Sequence, residues 1–227
     1  MKKKITIAID AMGGDNSPQK NIEGLNIFLK KNKSKNDFFI QLYGNQTILN
    51  KEIEKFKISK ELVEIVHTDG VVSNEETPLT AVKNSKNTSM WNSVSAQIDR
   101  KADISLSAGN TGVLLIISRM ILKTMKEVSK PALAGLWPSK KGVSVVLDLG
   151  ANIECDEKNL IDFSEMGAAL YKSIATDQKP HVALLNIGSE EIKGTEILRK
   201  TYAKLKELSN DNNFLFNGYI EGNKLME

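Results

Sequence analysis

Two carboxylates bracket a pair of adjacent glycines in Asp10-Ala11-Met12-Gly13-Gly14-Asp15, directly after the run Ile5-Thr6-Ile7-Ala8-Ile9. A short β-branched apolar run reads as a buried strand. The glycines let the backbone turn and come close to a ligand with no Cβ in the way. In open α/β sheets, ligands sit outside the carboxyl ends of the strands, which is where this segment falls. Adjacent glycines do not match the spacing of a dinucleotide-binding fingerprint. The plain structural alternative is a tight strand-to-helix turn capped by Asp15 or Ser17.

Three further loops carry residues of the same kind. Ser107-Ala108-Gly109-Asn110-Thr111-Gly112 precedes the apolar stretch Val113 to Leu122. Small residues at a helix start leave backbone N–H groups facing outward, a setting suited to phosphate. Ser107, Asn110 and Thr111 can add side-chain donors, or the loop is simply a capped turn. It is not a Walker A loop, because no Gly-Lys-Ser/Thr follows. In Ile187-Gly188-Ser189-Glu190-Glu191-Ile192-Lys193-Gly194, Lys193 could balance phosphate charge or stabilise an oxyanion. Asp148, opening Asp148-Leu149-Gly150-Ala151-Asn152, could position a donor, act as a base, or cap the turn. His67 ends a strand and could serve as a base or a phosphate donor, or be a satisfied loop histidine. His181 precedes its strand and reads as structural. Neither H-x-x-x-H nor C-x-x-C occurs, so no metal site is expected, and Cys155 reads as an inert thiol. No G-x-S-x-G nucleophile elbow is present.

The elements that must position these residues alternate along the chain. Strands are expected at 5–9, 38–43, 63–67, 104–107, 132–136, 143–147 and 182–186, with a further one starting at Phe214-Leu215-Phe216. Helical faces are expected from Ile22, Leu25, Phe28 and Leu29; from Leu160, Phe163, Met166, Gly167 and Leu170; and from Ile197, Leu198, Tyr202, Leu205 and Leu208. This alternation predicts a mostly parallel sheet covered on both faces, with 132–136 and 143–147 close enough for a hairpin. Parallel strands would bring Asp10, Asn45, His67, Ser107, Asp148 and Asn186 to one edge, each opening a Gly-, Asn- or Asp-rich loop. The cluster Lys30 to Lys35 reads as a solvated loop.

Composition narrows the class. The 227 residues are 41% hydrophobic and 26% charged, as in an ordinary globular protein. Lys+Arg 31 against Asp+Glu 28 gives +3, too little to argue for nucleic acid, and no aromatic-basic interleaving is seen. The single cysteine allows no internal disulfide and points to a reducing compartment. No run is long enough for a membrane span, and Lys2 to Lys4 do not open a signal peptide. A cytoplasmic location is expected.

Taken together the segments resemble the PlsX-type phosphate acyltransferases of bacterial phospholipid synthesis. The resemblance runs in family order through Ile7 to Asn16, Glu64 to His67, Pro78 to Met90, Ser107 to Gly112, Pro131 to Ala134, Asp148 to Asn152, and Leu184 to Gly194. It implies a three-layer αβα, Rossmann-like, isocitrate/isopropylmalate dehydrogenase-like fold. It also implies a single domain over 1–227, incomplete at the C-terminus, with the last part of the sheet missing. The implied reaction transfers a fatty acyl group from acyl carrier protein to inorganic phosphate, with no cofactor. Phosphate is the nucleophile, so no catalytic Ser or Cys is needed. On this resemblance Lys193, Asp10, His67 and Asp148 are the catalytic candidates, and Ser107, Gly109, Asn110, Thr111 and Gly112 hold phosphate. Gly13, Gly14, Asp15, Asn152, Asn186 and Gly188 form the substrate loops, and Lys83 and Lys86 meet the acidic carrier. A homodimer, weak membrane-surface association and a downstream membrane glycerol-3-phosphate acyltransferase are implied partners. The alternatives are a phosphotransacetylase-like enzyme using acyl-CoA, and a remnant that binds carrier protein or a membrane partner without turnover. A dehydrogenase is disfavoured because the fingerprint glycines and the following ribose-binding acid are absent.

Overall fold

The computed structural model describes residues 4–32, 37–73, 75, 77–140, 142–209 and 214–226. The chain divides into two compact units, Met1–Lys123 and Thr124–Glu227.

The first unit holds β1 (Ile5–Asp10), α1 (Gln19–Lys31), β2 (Phe38–Gly44), α2 (Gln46–Phe56), β3 (Val63–His67), α3 (Pro78–Asn84), α4 (Ser89–Ile98), β4 (Ile104–Ser107) and α5 (Thr111–Leu122). Its four strands run parallel in the order β3-β2-β1-β4. Alternation along the strands builds two cores. Ile7, Ile40, Leu42 and Val63 pack with Ile22, Leu25 and Leu29 of α1 and Leu49 and Ile53 of α2. Ala8 and Tyr43, one residue out of phase, pack on the opposite face with Ala96 of α4. A third cluster joins Met90 and Val94 of α4 to Val113 and Ile117 of α5. Helices on both faces of a parallel sheet are the expected α/β arrangement. Lys30 and Lys31 form the last turn of α1 rather than a loop, and Lys33 and Lys35 lie outside the described residues.

The second unit holds β5 (Gly135–Ser139), β6 (Gly142–Val146), α6 (Glu157–Ile174), β7 (His181–Leu185), α7 (Glu196–Leu208) and β8 (Leu215–Ile220). β5 and β6 form the antiparallel hairpin, and β7 and β8 pair in parallel. β5 starts three residues later than its hydrophobic run suggests. Asp148 takes the Leu133 N–H, and the Leu133 carbonyl accepts from Leu149, so 131–134 is tied to the following loop and not to the ladder. The α7 face also differs: Leu205 and Thr201 are buried, whereas Ile197 is 41% exposed. On α6, Phe163 is buried but Leu170 is 37% exposed.

Candidate functional site

In the first unit the candidate residues meet at the carboxyl end of β1 and β4. Register places Asp10 beside Ser107. Asp10 is 1% exposed, and its Oδ2 accepts a 2.7 Å hydrogen bond from Ser107 Oγ. Ser107 Oγ in turn accepts from Gly109 N–H at 3.1 Å. The hydroxyl proton is therefore committed to Asp10, and Ser107 shapes the loop instead of donating outward. The other Asp10 carboxylate oxygen is buried with no partner.

Glycine is required where the two loops touch. A Cβ on Gly13 would overlap the Asp10 carboxylate and stand 3.1 Å from Gly109 N. Gly14 has φ +95°, and a Cβ there would meet Ala108 O at 2.7 Å. A Cβ on Gly109 would lie 2.8 Å from Met90 Cε and 3.4 Å from Gly13 Cα. So 13–14 and 108–109 pack backbone against backbone. The first loop is latched by Asn21 Nδ2, which donates to the Ala11 and Gly13 carbonyls at 2.9 Å, and by Ser17 Oγ, which donates to Met12 O. Sequence reading missed Asn21; its signal was a polar residue in the first turn of a helix that follows a glycine turn.

Asn110 caps α5 by accepting from Val113 N–H at 3.2 Å. The first-turn N–H groups of Thr111 and Gly112 have no intrahelical acceptor by geometry, so they provide the helix's positive end. Thr111 is exposed, and Asp15 lies exposed on the facing loop.

His67 ends β3, two strand positions from β1, which is about 10 Å at ordinary strand spacing. Its Nδ1 accepts from Gln46 N–H at 3.2 Å, which puts the neutral-ring proton on Nε2, 3.0 Å from Asp69 Oδ1. Both nitrogens are engaged by local neighbours. Lys83 is exposed in the last turn of α3; Lys86 is exposed in the turn before α4, not on a helix.

In the second unit Asp148 is the hub of its loop. Oδ1 accepts from Leu133 N–H at 2.8 Å; Oδ2 accepts from Asn152 N–H at 2.7 Å and Asn152 Nδ2 at 3.1 Å. Asn152 Nδ2 also donates to Pro131 O at 2.8 Å. Burial pushes the Asp148 carboxyl up, but the donors from Leu133, Asn152 and Ala151 outweigh it and hold it below the usual carboxylate range. An anion so filled with donors is an anchor and a poor base. Nearby, burial pushes the Cys155 thiol up, in keeping with an inert thiol.

Asn186, Gly188 and Lys193 form the other cluster. Asn186 is buried; its Nδ2 donates to Lys193 O at 3.2 Å, and its Oδ1 is buried without a partner. Gly194 has φ +94°, and a Cβ there would sit 2.7 Å from that Oδ1. The Lys193 ammonium lies over Gly188, where a Cβ would come within 3.0 Å of Nζ. It pairs with Glu190 at 3.0 Å, and this contact holds the Glu190 carboxyl below its usual range. Both side chains are about half exposed, at 45% and 57%. Glu190, the partner at i−3, was legible in the sequence only as an acidic neighbour.

The candidates therefore gather in three clusters: Asp10, Gly13, Gly14, Ser107 and Gly109; Asp148 and Asn152; and Asn186, Gly188 and Lys193. His67 stands apart from the first of these.

A family model described as "Fatty acid synthesis protein" matches residues 5–227. The phosphate acyltransferase of Pelagibacter ubique is 51% identical over 226 residues, covering 100% of this chain and 66% of that protein. That of Caulobacter vibrioides is 37% identical over 225 residues, covering 99% and 61%. The chain thus spans less than two thirds of the length of these curated relatives. Among solved structures, a phosphotransacetylase from Streptococcus pyogenes aligns with TM-score 0.69 at 15% identity, covering 97% of this chain and 69% of that one. The EutD phosphotransacetylase from Staphylococcus aureus aligns with TM-score 0.66 at 13% identity, with the same coverage. These likenesses show a shared α/β fold.

Proposed function

The chain belongs to the fatty acid synthesis protein family, and from that premise we propose that its reaction is transfer of a fatty acyl group from acyl carrier protein to inorganic phosphate. The observation that supports this reading best is the backbone-on-backbone meeting of the Gly13-Gly14 and Ala108-Gly109 loops at the start of α5. That surface has no room for a β-carbon and leads to the positive end of a helix, which suits a small dianion.

In this reading a phosphate oxygen attacks the thioester carbonyl of the acyl carrier. The tetrahedral intermediate collapses with cleavage of the C–S bond; acyl phosphate forms, and the carrier thiolate leaves and takes a proton from water. The enzyme supplies position and charge, not a nucleophile. The Thr111 and Gly112 N–H groups bind phosphate. Asp10 acts through Ser107, fixing the hydroxyl that holds Gly109 N–H. In the second unit Lys193 pairs with Glu190 at the surface; a pair of this kind is worth about 0–1 kcal/mol, so its ammonium exchanges easily onto an anion. Asp148 holds its loop, and Lys83 and Lys86 face the acidic carrier. Dimerisation and peripheral membrane association belong to the same proposal, on the resemblance alone.

The test is phosphate-dependent release of carrier thiol from long-chain acyl carrier protein, with acyl phosphate trapped as the hydroxamate. It is run on this chain and on one lengthened with the remaining third of the Pelagibacter relative. Product from either supports the reading. Product only with acyl-CoA in place of the carrier would favour a phosphotransacetylase-like reaction, and no product from any combination would overturn both.

A further inference from the structure

Loop 187–194, which carries Lys193, leaves the end of β7 without an apolar anchor of its own: Ile187 and Ile192 are 82% and 80% exposed. What holds it is polar, and comes from α7. Arg199, Tyr202 and Lys206 stand three and four residues apart, which sets them in one row along that helix. All three reach the loop. Tyr202 Oη donates to Glu191 Oε1 at 2.7 Å, and Lys206 Nζ donates to the same oxygen at 3.2 Å. Arg199 Nη1 donates to the Ile192 carbonyl at 3.4 Å, a long contact. From the other side Asn186 Nδ2 donates to the Lys193 carbonyl. Residues 191, 192 and 193 are therefore tied one after another, and the Lys193 ammonium projects from the end of that run.

Two observations separate these contacts from ordinary surface pairs. The lysine pairs Lys200–Glu196 and Lys204–Glu207 close within α7. Glu191 instead lies off the helix, eleven positions from Tyr202 and fifteen from Lys206, so its contacts join two elements. The Tyr202 hydroxyl is also placed in advance. Its ring meets Phe216 edge-on at 5.2 Å and Tyr219 at 4.8 Å, both from β8, and Lys206 Nζ lies 5.7 Å from its centre. A ring so fixed loses little further freedom when its hydroxyl bonds. The tyrosine and the lysine hold the Glu191 carboxyl below its usual range.

We propose that Tyr202 and Lys206 are positioning residues: through Glu191 they latch the 187–194 loop to α7 and fix where the Lys193 ammonium stands. This deepens the proposed reaction and rests on it for the use made of Lys193.

Exchange and turnover test it together. Tyr202→Phe keeps the packed ring and removes only the hydroxyl; Lys206→Met keeps the stem and removes the charge. In the 227-residue chain each should speed amide exchange of the 187–194 peptide about threefold, the size expected of one exposed charge-assisted contact. Peptides from β7 and from α7 around Leu205 should keep their rates, which shows that the unit is folded, and Lys204→Met should alter neither. In a chain lengthened to the family's full extent, Tyr202→Phe should lower kcat about threefold, but not where Lys193 is already Ala. Glu191→Gln, which still accepts from Tyr202, should lose less than Glu191→Ala. Losses from Tyr202→Phe and Lys193→Ala that simply multiply would put the tyrosine outside the action of Lys193 and overturn the proposal. Unchanged exchange of the 187–194 peptide overturns it as well, whatever turnover does. A lengthened wild type that makes no acyl phosphate fails the reaction, and the exchange still decides the latch.

Discussion

Replacing Asp148 by Ala should unfold the second unit more easily, with the loss concentrated there. The carboxylate accepts three hydrogen bonds of 2.7 to 3.1 Å from Leu133 and Asn152, two of them from backbone N–H groups, with the Ala151 N–H as a further donor. A hydrogen bond to a charged acceptor contributes about 1.5–3 kcal/mol net, so three give an upper limit of roughly 5–9 kcal/mol. The site is only half-buried, so water replaces part of each bond, and bonds to one carboxylate are not additive. About 3 kcal/mol is the working figure. The two tryptophans provide a clean readout, since Trp91 lies in α4 and Trp137 in β5. With Trp91 changed to Phe in both proteins, urea unfolding is followed by Trp137 fluorescence. For an m-value of about 2 kcal/mol/M the midpoint falls by about 1.5 M. A shift smaller than about 0.3 M on that scale refutes the anchor; if turnover were also abolished, Asp148 would belong to the chemistry.

The same residue predicts a pH effect of fixed sign. Its folded carboxyl lies below the ordinary value, so its contribution is present above about pH 4 and is lost as pH falls through the folded pKa. The wild type should therefore show a drop in Trp137-monitored stability below about pH 4 that Asp148→Asn lacks. Parallel acid curves for the two proteins would count against the donors as the cause.

Gly14→Ala should destabilise the first unit by about 2 kcal/mol or more, since φ is +95° and the new Cβ meets a backbone oxygen. Gly24→Ala, with no atom within 4 Å of the new Cβ inside α1, should stabilise it by about 0.5–1 kcal/mol; Trp91 fluorescence on urea unfolding separates the two. Ser107→Ala removes the hydrogen bond to buried Asp10 and should cost about 1–3 kcal/mol; Asp10→Ala in the same background should then cost less than Asp10→Ala alone, and additive costs would deny the coupling. In a chain lengthened to the family's full extent, Lys193→Ala should lower acyl-phosphate formation at least about tenfold with a stability change under about 1 kcal/mol. Equal loss of fold and activity would make Lys193 structural.

Elements with a strong hydrophobic period were legible in the sequence. β1, β3 and β4 lie where Ile5 to Ile9, Val63 to His67 and Ile104 to Ser107 predict them, because those short β-branched runs are bounded by turn residues. Other boundaries moved because a side chain outcompeted the ladder. Ala132 to Ala134 carries the right residues for a strand, but the Asp148 carboxylate takes the Leu133 N–H first. No local pattern announces a partner fifteen residues away. The glycine loops were readable as close approaches, yet what they approach was not: Gly13 against Gly109 is a contact between residues 96 positions apart, made by the β1–β4 register.

The roles of the polar residues were less legible than their positions, for a physical reason. Residue type says that Ser107 can donate, Asp148 can accept a proton and His67 can do both; occupancy decides whether they do. Ser107 gives its proton to Asp10, Asp148 is saturated by N–H donors, and His67 is held between Gln46 and Asp69. What these side chains hold in place is backbone: the Gly109 N–H, the 148–152 loop, the start of α2. A reaction whose nucleophile arrives with its own charge, as phosphate does, asks for this kind of scaffold. Its dominant requirement is fixed dipoles at a fixed distance from the developing oxyanion, and rigid loops deliver them without reorganisation at the moment of reaction. The two buried oxygens left without partners, on Asp10 and Asn186, are where that rigidity has a local energetic cost. The Asn186 oxygen lies against Gly194, and the Asp10 carboxylate lies against Gly13 through its Ser107-bonded oxygen. The cost is tolerable only if the geometry it secures is used, so the same two residues should tolerate isosteric change in stability assays better than in turnover.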